Sequence, residues 1–381
     1  MNPLTSNLTE EKRKQLCGLL GDVELTLLYK ASVHGYKASA FHQRCDRQGP
    51  TLLVAYNRSG YIFGGYTSVD YAQSGQYITD QDIFLFSFQG KIPVSSQVSA
   101  EEKPWRNVLW TADRRAQLME NIRKQKPLTT SVSHFRILMI GPVGAGKSSF
   151  FNSINSIFMG RITSKAISGS AGTSLTTQFR TYPVKDGRAG KPLPFVLCDT
   201  MGLEEQSGAG LDIEDISSII QGHIPDRYKF NPITPFQPDE QKASKPASLQ
   251  EKIHCVVYVI DATKISLMSD KLQEKLTTIR RKVNSLGIPQ MVLTTKVDEA
   301  CPDVEKDLKS LYVTAYFKTK VQEVSSRLGV PVSCVLPVKN YSQELELQLN
   351  CDILLLTALQ QMLNFADDYL DDVCPTEDKP K

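Results

Sequence analysis

Eight consecutive residues, Gly141-Pro-Val-Gly-Ala-Gly-Lys-Ser148, set three glycines, a lysine and a hydroxyl in the spacing G-x-x-x-x-G-K-S. Those residue types at that spacing make a phosphate cradle. Glycines let the loop wrap so that its N–H groups point at phosphate oxygens. A lysine then reaches the β- and γ-phosphates, and the serine hydroxyl coordinates Mg²⁺. Gly141, Gly144, Ala145, Gly146, Lys147, Ser148 and Ser149 are the expected phosphate contacts, with Ser148 also a metal ligand. An apolar run, 194–198, ends in Asp199-Thr-Met-Gly202. A carboxylate there can help hold Mg²⁺, directly or through a water, and Gly202 can offer a backbone N–H to the γ-phosphate.

A third run, Thr295-Lys-Val-Asp298, would select the base. An ionised aspartate only accepts hydrogen bonds, so it suits the two N–H donors on one edge of guanine, which adenine lacks. The Lys296 stem can lie along the base plane. The expected ligands are therefore GTP or GDP with Mg²⁺. Between the cradle and Asp199, residues 162–178 include Thr173, Thr176 and Thr177. One of them would sense Mg²⁺ and the γ-phosphate, and Thr176 is the choice. Val338-Lys339-Asn340 could place a backbone N–H near guanine O6.

Where many small GTPases carry a glutamine to orient the attacking water, this chain has Leu203, followed by Glu204 and Glu205. A leucine side chain can neither donate nor accept that hydrogen bond. Hydrolysis is therefore expected to be slow or to need a partner, and no catalytic residue is assigned. Glu204 is a candidate substitute or a solvated carboxylate.

The elements that must position these residues follow from periodicity. From residue 134 strands and helices alternate, as in a parallel α/β sheet. Strands are expected at 135–140, 178–183, 194–198, 254–260, 290–295 and 332–337, the second and third antiparallel. Helices are expected at 147–158, 211–222, 266–286, 303–328 and 351–369. Ahead of them lie a helix over 7–22 capped by Thr9, short strands at 25–29, 51–56, 61–66 and 83–88, and a helix over 107–126. Asn57-Arg-Ser-Gly60 is turn chemistry, and Gly64-Gly65 marks a bulge or a close backbone approach. The expected division is a β-rich module over 1–91, a linker and helix over 92–133, an α/β domain over 134–370 and a loose tail over 371–381. Residues 229–250 read as an exposed insertion.

The chain has 381 residues and a formal charge of +3, so bulk charge gives no support for a nucleic-acid or membrane-surface protein. No apolar run approaches the roughly 18 residues that span a bilayer, and the polar N-terminus lacks the apolar stretch of a signal peptide. Eight scattered cysteines show no metal-ligand spacing and fit a reducing compartment, with Cys198 and Cys255 read as buried thiols.

Gly141-Pro-Val-Gly-Ala-Gly-Lys-Ser-Ser-Phe-Phe-Asn-Ser153, Leu197-Cys-Asp-Thr-Met-Gly-Leu203, Asp226-Arg-Tyr-Lys-Phe-Asn-Pro232 and Ile253-His-Cys-Val-Val-Tyr-Val259 closely resemble the interferon-induced protein 44 family. The resemblance is strongest from about residue 104 to 370. Leu27-Leu-Tyr-Lys-Ala-Ser-Val-His34, Cys45, Gly49-Pro-Thr-Leu-Leu53, Phe63-Gly-Gly-Tyr66 and Phe84-Leu-Phe86 resemble a TLDc domain, here shortened. The resemblance implies a P-loop GTPase-like α/β domain, its mainly parallel sheet flanked by helices, behind a small α+β TLDc-like module. It implies a cytoplasmic protein of the interferon-induced antiviral response that binds GTP and self-associates or meets a protein partner. Lys147, Ser148, Asp199 and Asp298 carry the family's motif positions. Two alternatives stand beside this reading. One is a non-catalytic scaffold with a structural G-domain; the other, an ATP-dependent enzyme, requires that Asp298 not face the base.

Overall fold

The computed structural model describes residues 6–21, 23–56, 62–71, 80, 84–88, 104–166, 176–205, 211–231, 234–237 and 247–374. The expected turn at 57–60, most of the linker, Thr173, much of the 229–250 insertion and the end of the tail lie outside them. The chain divides into two compact units, Met1–Ser99 and Ala100–Lys381.

In the first unit, α1 (Glu10–Leu19) starts where Thr9 accepts the Lys12 N–H, as its sequence predicts. Two short helices follow, α2 (Ala31–His34) and α3 (Ala38–Cys45). Strands β1 (Thr51–Tyr56), β2 (Ile62–Thr67) and β3 (Phe84–Ser87) form an antiparallel sheet in that order. Gly64 is a close approach and not a bulge: the β1–β2 register runs unbroken, and a Cβ on Gly64 would lie 1.9 Å from the Leu53 carbonyl oxygen. The strand expected at 25–29 is absent. Those residues run into α2, with the Tyr29 hydroxyl on the Gly35 carbonyl at 2.5 Å and its ring against Phe41.

The second unit is built on a six-stranded sheet. Its strands are β4 (Phe135–Ile140), β5 (Arg180–Lys185), β6 (Pro192–Asp199), β7 (Cys255–Asp261), β8 (Gln290–Thr295) and β9 (Val335–Pro337), in the order β5-β6-β4-β7-β8-β9. Only β5 runs antiparallel to its neighbour. Every residue of β7 is buried, the mark of a parallel strand covered on both faces. The helices are α4 (Ala112–Lys124), α5 (Lys147–Met159), α6 (Ile213–Ile220), α7 (Asp270–Ser285), α8 (Val297–Ala300), α9 (Pro302–Lys306), α10 (Ala315–Leu328) and α11 (Leu349–Val373). The expected mainly parallel sheet flanked by helices, preceded in the chain by a small module with an antiparallel sheet, is what the chain adopts. From β4 the chain passes to β5 and β6 on one side and then crosses to β7 on the other. That reversal opens a crevice at the carboxyl end of β4, where ligands of open α/β sheets bind.

Two expected helices are interrupted. The one over 303–328 breaks into α9, a 3₁₀ turn (Leu308–Tyr312) and α10, because the Asp307 side chain caps the turn by accepting the Lys309 N–H at 3.0 Å. The one over 266–286 breaks where Ser269 caps α7 by accepting the Leu272 N–H at 3.2 Å. The amino half of the strand expected at 332–337 is instead a 3₁₀ turn, Val332–Cys334.

A buried polar cluster fastens α4 to α11. Asp352, fully buried, accepts the Arg115 Nε–H at 2.5 Å and the Tyr341 hydroxyl at 2.6 Å. All eight cysteines are free, and Cys198 and Cys255 are buried as expected.

Candidate functional site

The phosphate loop takes its shape from glycine at three places. A Cβ on Gly141 would meet the Val259 carbonyl oxygen of β7 at 2.1 Å. Gly144 (φ +75°) and Gly146 (φ +91°) lie in the left-handed region that side chains disfavour. Gly146 caps α5, so the loop ends at a helix N-terminus. Ala145 is buried, and its carbonyl accepts the Thr295 hydroxyl at 2.7 Å. The Ser149 carbonyl accepts the Ser153 hydroxyl at 2.8 Å inside α5. Lys147 is buried, and its ammonium donates to the carbonyls of Gly141 (2.9 Å) and Pro142 (3.0 Å). Burial brings its pKa down to about 8 against the opposing pull of Asp199.

Ser148, Thr176 and Asp199 come together from three segments. The Ser148 hydroxyl donates to Oδ2 of Asp199 at 2.5 Å and lies 3.3 Å from the Thr176 hydroxyl. Thr177 is exposed. Asp199 is fully buried, and its Oδ1 has no hydrogen-bond partner among the described residues. Burial raises its pKa, while the Lys147 charge and the Ser148 hydrogen bond oppose the rise. Two hydroxyls and a carboxylate with a bare buried oxygen fit a hard divalent cation such as Mg²⁺.

Beyond Asp199 the chain is pinned to the phosphate loop. Gly202 packs against Val143 so closely that a Cβ would lie 2.9 Å from its backbone nitrogen. Leu203 is 3% exposed and bridges Pro142, with its N–H on the Gly141 carbonyl at 3.0 Å. Leucine at this position is thus a core anchor.

The residues expected to select the base occupy the far side of the loop. Thr295 is fully buried at the end of β8. Lys296 has φ +57° and donates to Oδ2 of Asp261 at 2.7 Å. Asp298, in α8, is ion-paired with Lys339 at 3.3 Å, and Lys339 also meets Glu344 at 2.8 Å. Asn340 donates to the Gly146 carbonyl at 3.2 Å, joining this loop to the cradle. The Val338 N–H is committed to the Thr294 carbonyl at 2.7 Å.

Sequence reasoning missed Asp261 and Glu344. Asp261 had a signal, since it ends an apolar strand as Asp199 does. Glu344 had none, because its partner Lys339 is brought to it by a loop.

The run Asp226-Arg-Tyr-Lys-Phe-Asn-Pro232 gains a structural role at its amino end. It lies along the start of β5 and the segment leading from Thr176. Phe179 N–H donates to the Tyr228 carbonyl (2.8 Å), Arg227 N–H to the Phe179 carbonyl (2.7 Å) and Phe230 N–H to the Thr177 carbonyl (3.2 Å). The Asp226 carboxylate accepts the Thr181 N–H at 2.7 Å. A cavity of about 860 Å³ lies at the amino ends of β4 and β6, lined by Arg123, His134, Asp186, Lys191 and Pro192 among others, and none of these motif residues lines it.

Residues 5–105 match the family model of the TLDc domain, and residues 136–296 that of the 50S ribosome-binding GTPases. Along its length the chain is 34% identical to human interferon-induced protein 44-like, over 97% of this chain and 96% of that one. It is also 34% identical to human interferon-induced protein 44, over 97% and 95%. Among solved structures, a probable GTP-binding protein engB aligns with 54% of this chain and 88% of its own at 14% identity, with a TM-score of 0.29.

Proposed function

The chain belongs to the interferon-induced protein 44 family, and from that footing we propose that it binds GTP and GDP with Mg²⁺ as a guanine-nucleotide-dependent protein of the interferon-induced antiviral response. The cluster of Ser148, Thr176 and Asp199 around a bare buried carboxylate oxygen carries the proposal. These three residues would hold the metal, which when bound neutralises phosphate charge. Lys147 and the loop N–H groups hold the phosphates, and Lys296 and Asp298 hold the base. Gly202 stands over Val143 of the loop, where its backbone can meet the terminal phosphate.

Leu203 offers no group to orient water, so hydrolysis is slow or waits for a group from a partner. The family further extends the proposal to a cytoplasmic protein that self-associates. Fluorescence titration of the purified protein with GTP, GDP and ATP in Mg²⁺ tests the reading. Guanine-selective binding is expected, and Lys147→Ala should weaken it more than about 100-fold, since charge-assisted bonds of about 1.5–3 kcal/mol each are lost. Unchanged GTP affinity in that variant would refute it.

The buried, pinned Leu203 also favours a second reading, a scaffold whose G-domain is kept for its shape. A nucleotide-free protein with no measurable guanine-nucleotide affinity would support that one.

A further inference from the structure

Lys339 follows β9, and its ammonium is gripped by two carboxylates, Oδ2 of Asp298 at 3.3 Å and Oε1 of Glu344 at 2.8 Å. None of the three side chains is more than 19% exposed. Glu344 is itself fixed, accepting the N–H groups of Ser342 (2.9 Å) and Gln343 (3.1 Å). The backbone of Lys339 is held too, its carbonyl accepting the Cys351 thiol at 3.2 Å. Burial works against the charge on Lys339, but the two carboxylates outweigh it and raise its pKa above the usual lysine value. An ammonium has three N–H donors. Two are answered by carboxylates, and among the described residues no acceptor meets the third.

The reading edge of guanine presents a 2-amino group, N1–H and a 6-oxo group in order: donor, donor, acceptor. A carboxylate matches the two donors and leaves the oxygen unanswered. Of the three residues expected to bring a backbone N–H to that oxygen, Val338 has its own committed to the Thr294 carbonyl. Lysine donating to guanine O6 is a common specific contact in nucleic-acid recognition. We propose that Lys339 is a second base-reading group: its third N–H donates to the 6-oxo group of a guanine whose N1–H and 2-amino group are read by Asp298, and Glu344 holds the ammonium in place. This deepens, and rests on, the guanine-nucleotide reading above.

The test compares GTP, 6-thio-GTP and ITP binding to the full-length protein in Mg²⁺. Sulfur at position 6 weakens the acceptor and keeps N1–H and the 2-amino group, whereas inosine lacks only the 2-amino group. Wild type should bind GTP about tenfold more tightly than 6-thio-GTP, the scale of one such contact. In Lys339→Met that ratio should fall to about one through loss of GTP affinity, while the GTP-to-ITP ratio is kept. A wild-type ratio of one, or equal losses for GTP and 6-thio-GTP in the variant, would overturn the proposal and leave Lys339 a strut. If Lys339→Met does not fold, Glu344→Gln gives the same readout. Removing one anchor should shrink the GTP-to-6-thio-GTP ratio, and an unchanged ratio overturns the proposal. Wild-type protein that binds none of the three nucleotides would overturn the guanine reading itself, an outcome distinct from binding without 6-oxo selectivity.

Discussion

Lys147 is where a single side chain sets a measurable pH dependence. In the protein without ligand its pKa is about 8, below the ordinary lysine value, because burial disfavours the cation. A bound phosphate raises it again. GTP affinity should therefore be level below pH 8 and fall up to about tenfold per pH unit above it, which titration from pH 7 to 9.5 would show. The sign for folding is opposite. The unfolded chain binds this proton more strongly, so the burial penalty is full below pH 8 and fades as pH rises toward the unfolded value. At Asp298, replacement by asparagine puts an N–H where an acceptor stood. GTP should bind about 100-fold less tightly in Asp298→Asn, from lost charge-assisted bonds of about 1.5–3 kcal/mol each. Xanthosine triphosphate, with a carbonyl at C2, should lose less; parallel losses for the two nucleotides would contradict the base-facing role. The phosphate loop was legible as a string because its residues are consecutive. Glu344 was not, because a glutamate in a polar loop says nothing until the chain brings Lys339 to it.

At the scale of elements, the strands were largely readable because a buried parallel sheet demands unbroken apolar runs, as in β4 and β7. Helix continuity was less so. The apolar spacing over 303–328 continues through Asp307, whose side chain competes for backbone N–H groups and ends one turn before the next begins. The residues at 25–29 have strand chemistry but are spent on packing Tyr29 against Phe41. The α4–α11 contact was invisible for another reason: Arg115 and Asp352 are 237 residues apart. Asp352→Ala would take the acceptor from Arg115 and leave the Tyr341 hydroxyl only the longer bond to the Gln348 carbonyl, at 3.2 Å. Because Arg115 can turn to water, the loss is about 2–3 kcal/mol. A thermal melt should fall by roughly 3–5 °C for a unit of this size. A melt unchanged within a degree would show that the cluster contributes nothing.

For the whole molecule, two units with their own buried residues predict two calorimetric transitions. GTP at about 100 times its Kd should stabilise the unit carrying the phosphate loop by about 2.7 kcal/mol and leave the other transition where it was. A shift of both transitions, or of neither, would contradict that assignment. The change from short strands and turns to alternating strand and helix led to an expected module over 1–91 and a domain over 134–370, whereas the boundary between the compact units falls after Ser99. The proposed immune role was not legible in composition or spacing; it rests on whole-chain similarity to the family. Leu203, clamped under the phosphate loop, bears on time. A nucleotide switch ordinarily carries its own clock, the residue that aims water and ends the signal. With leucine there and turned into the core, the proposed GTP-loaded state runs on a slow clock or on one supplied by a partner. Its duration would be set by a slow turnover of its own, or by whatever resets it from outside.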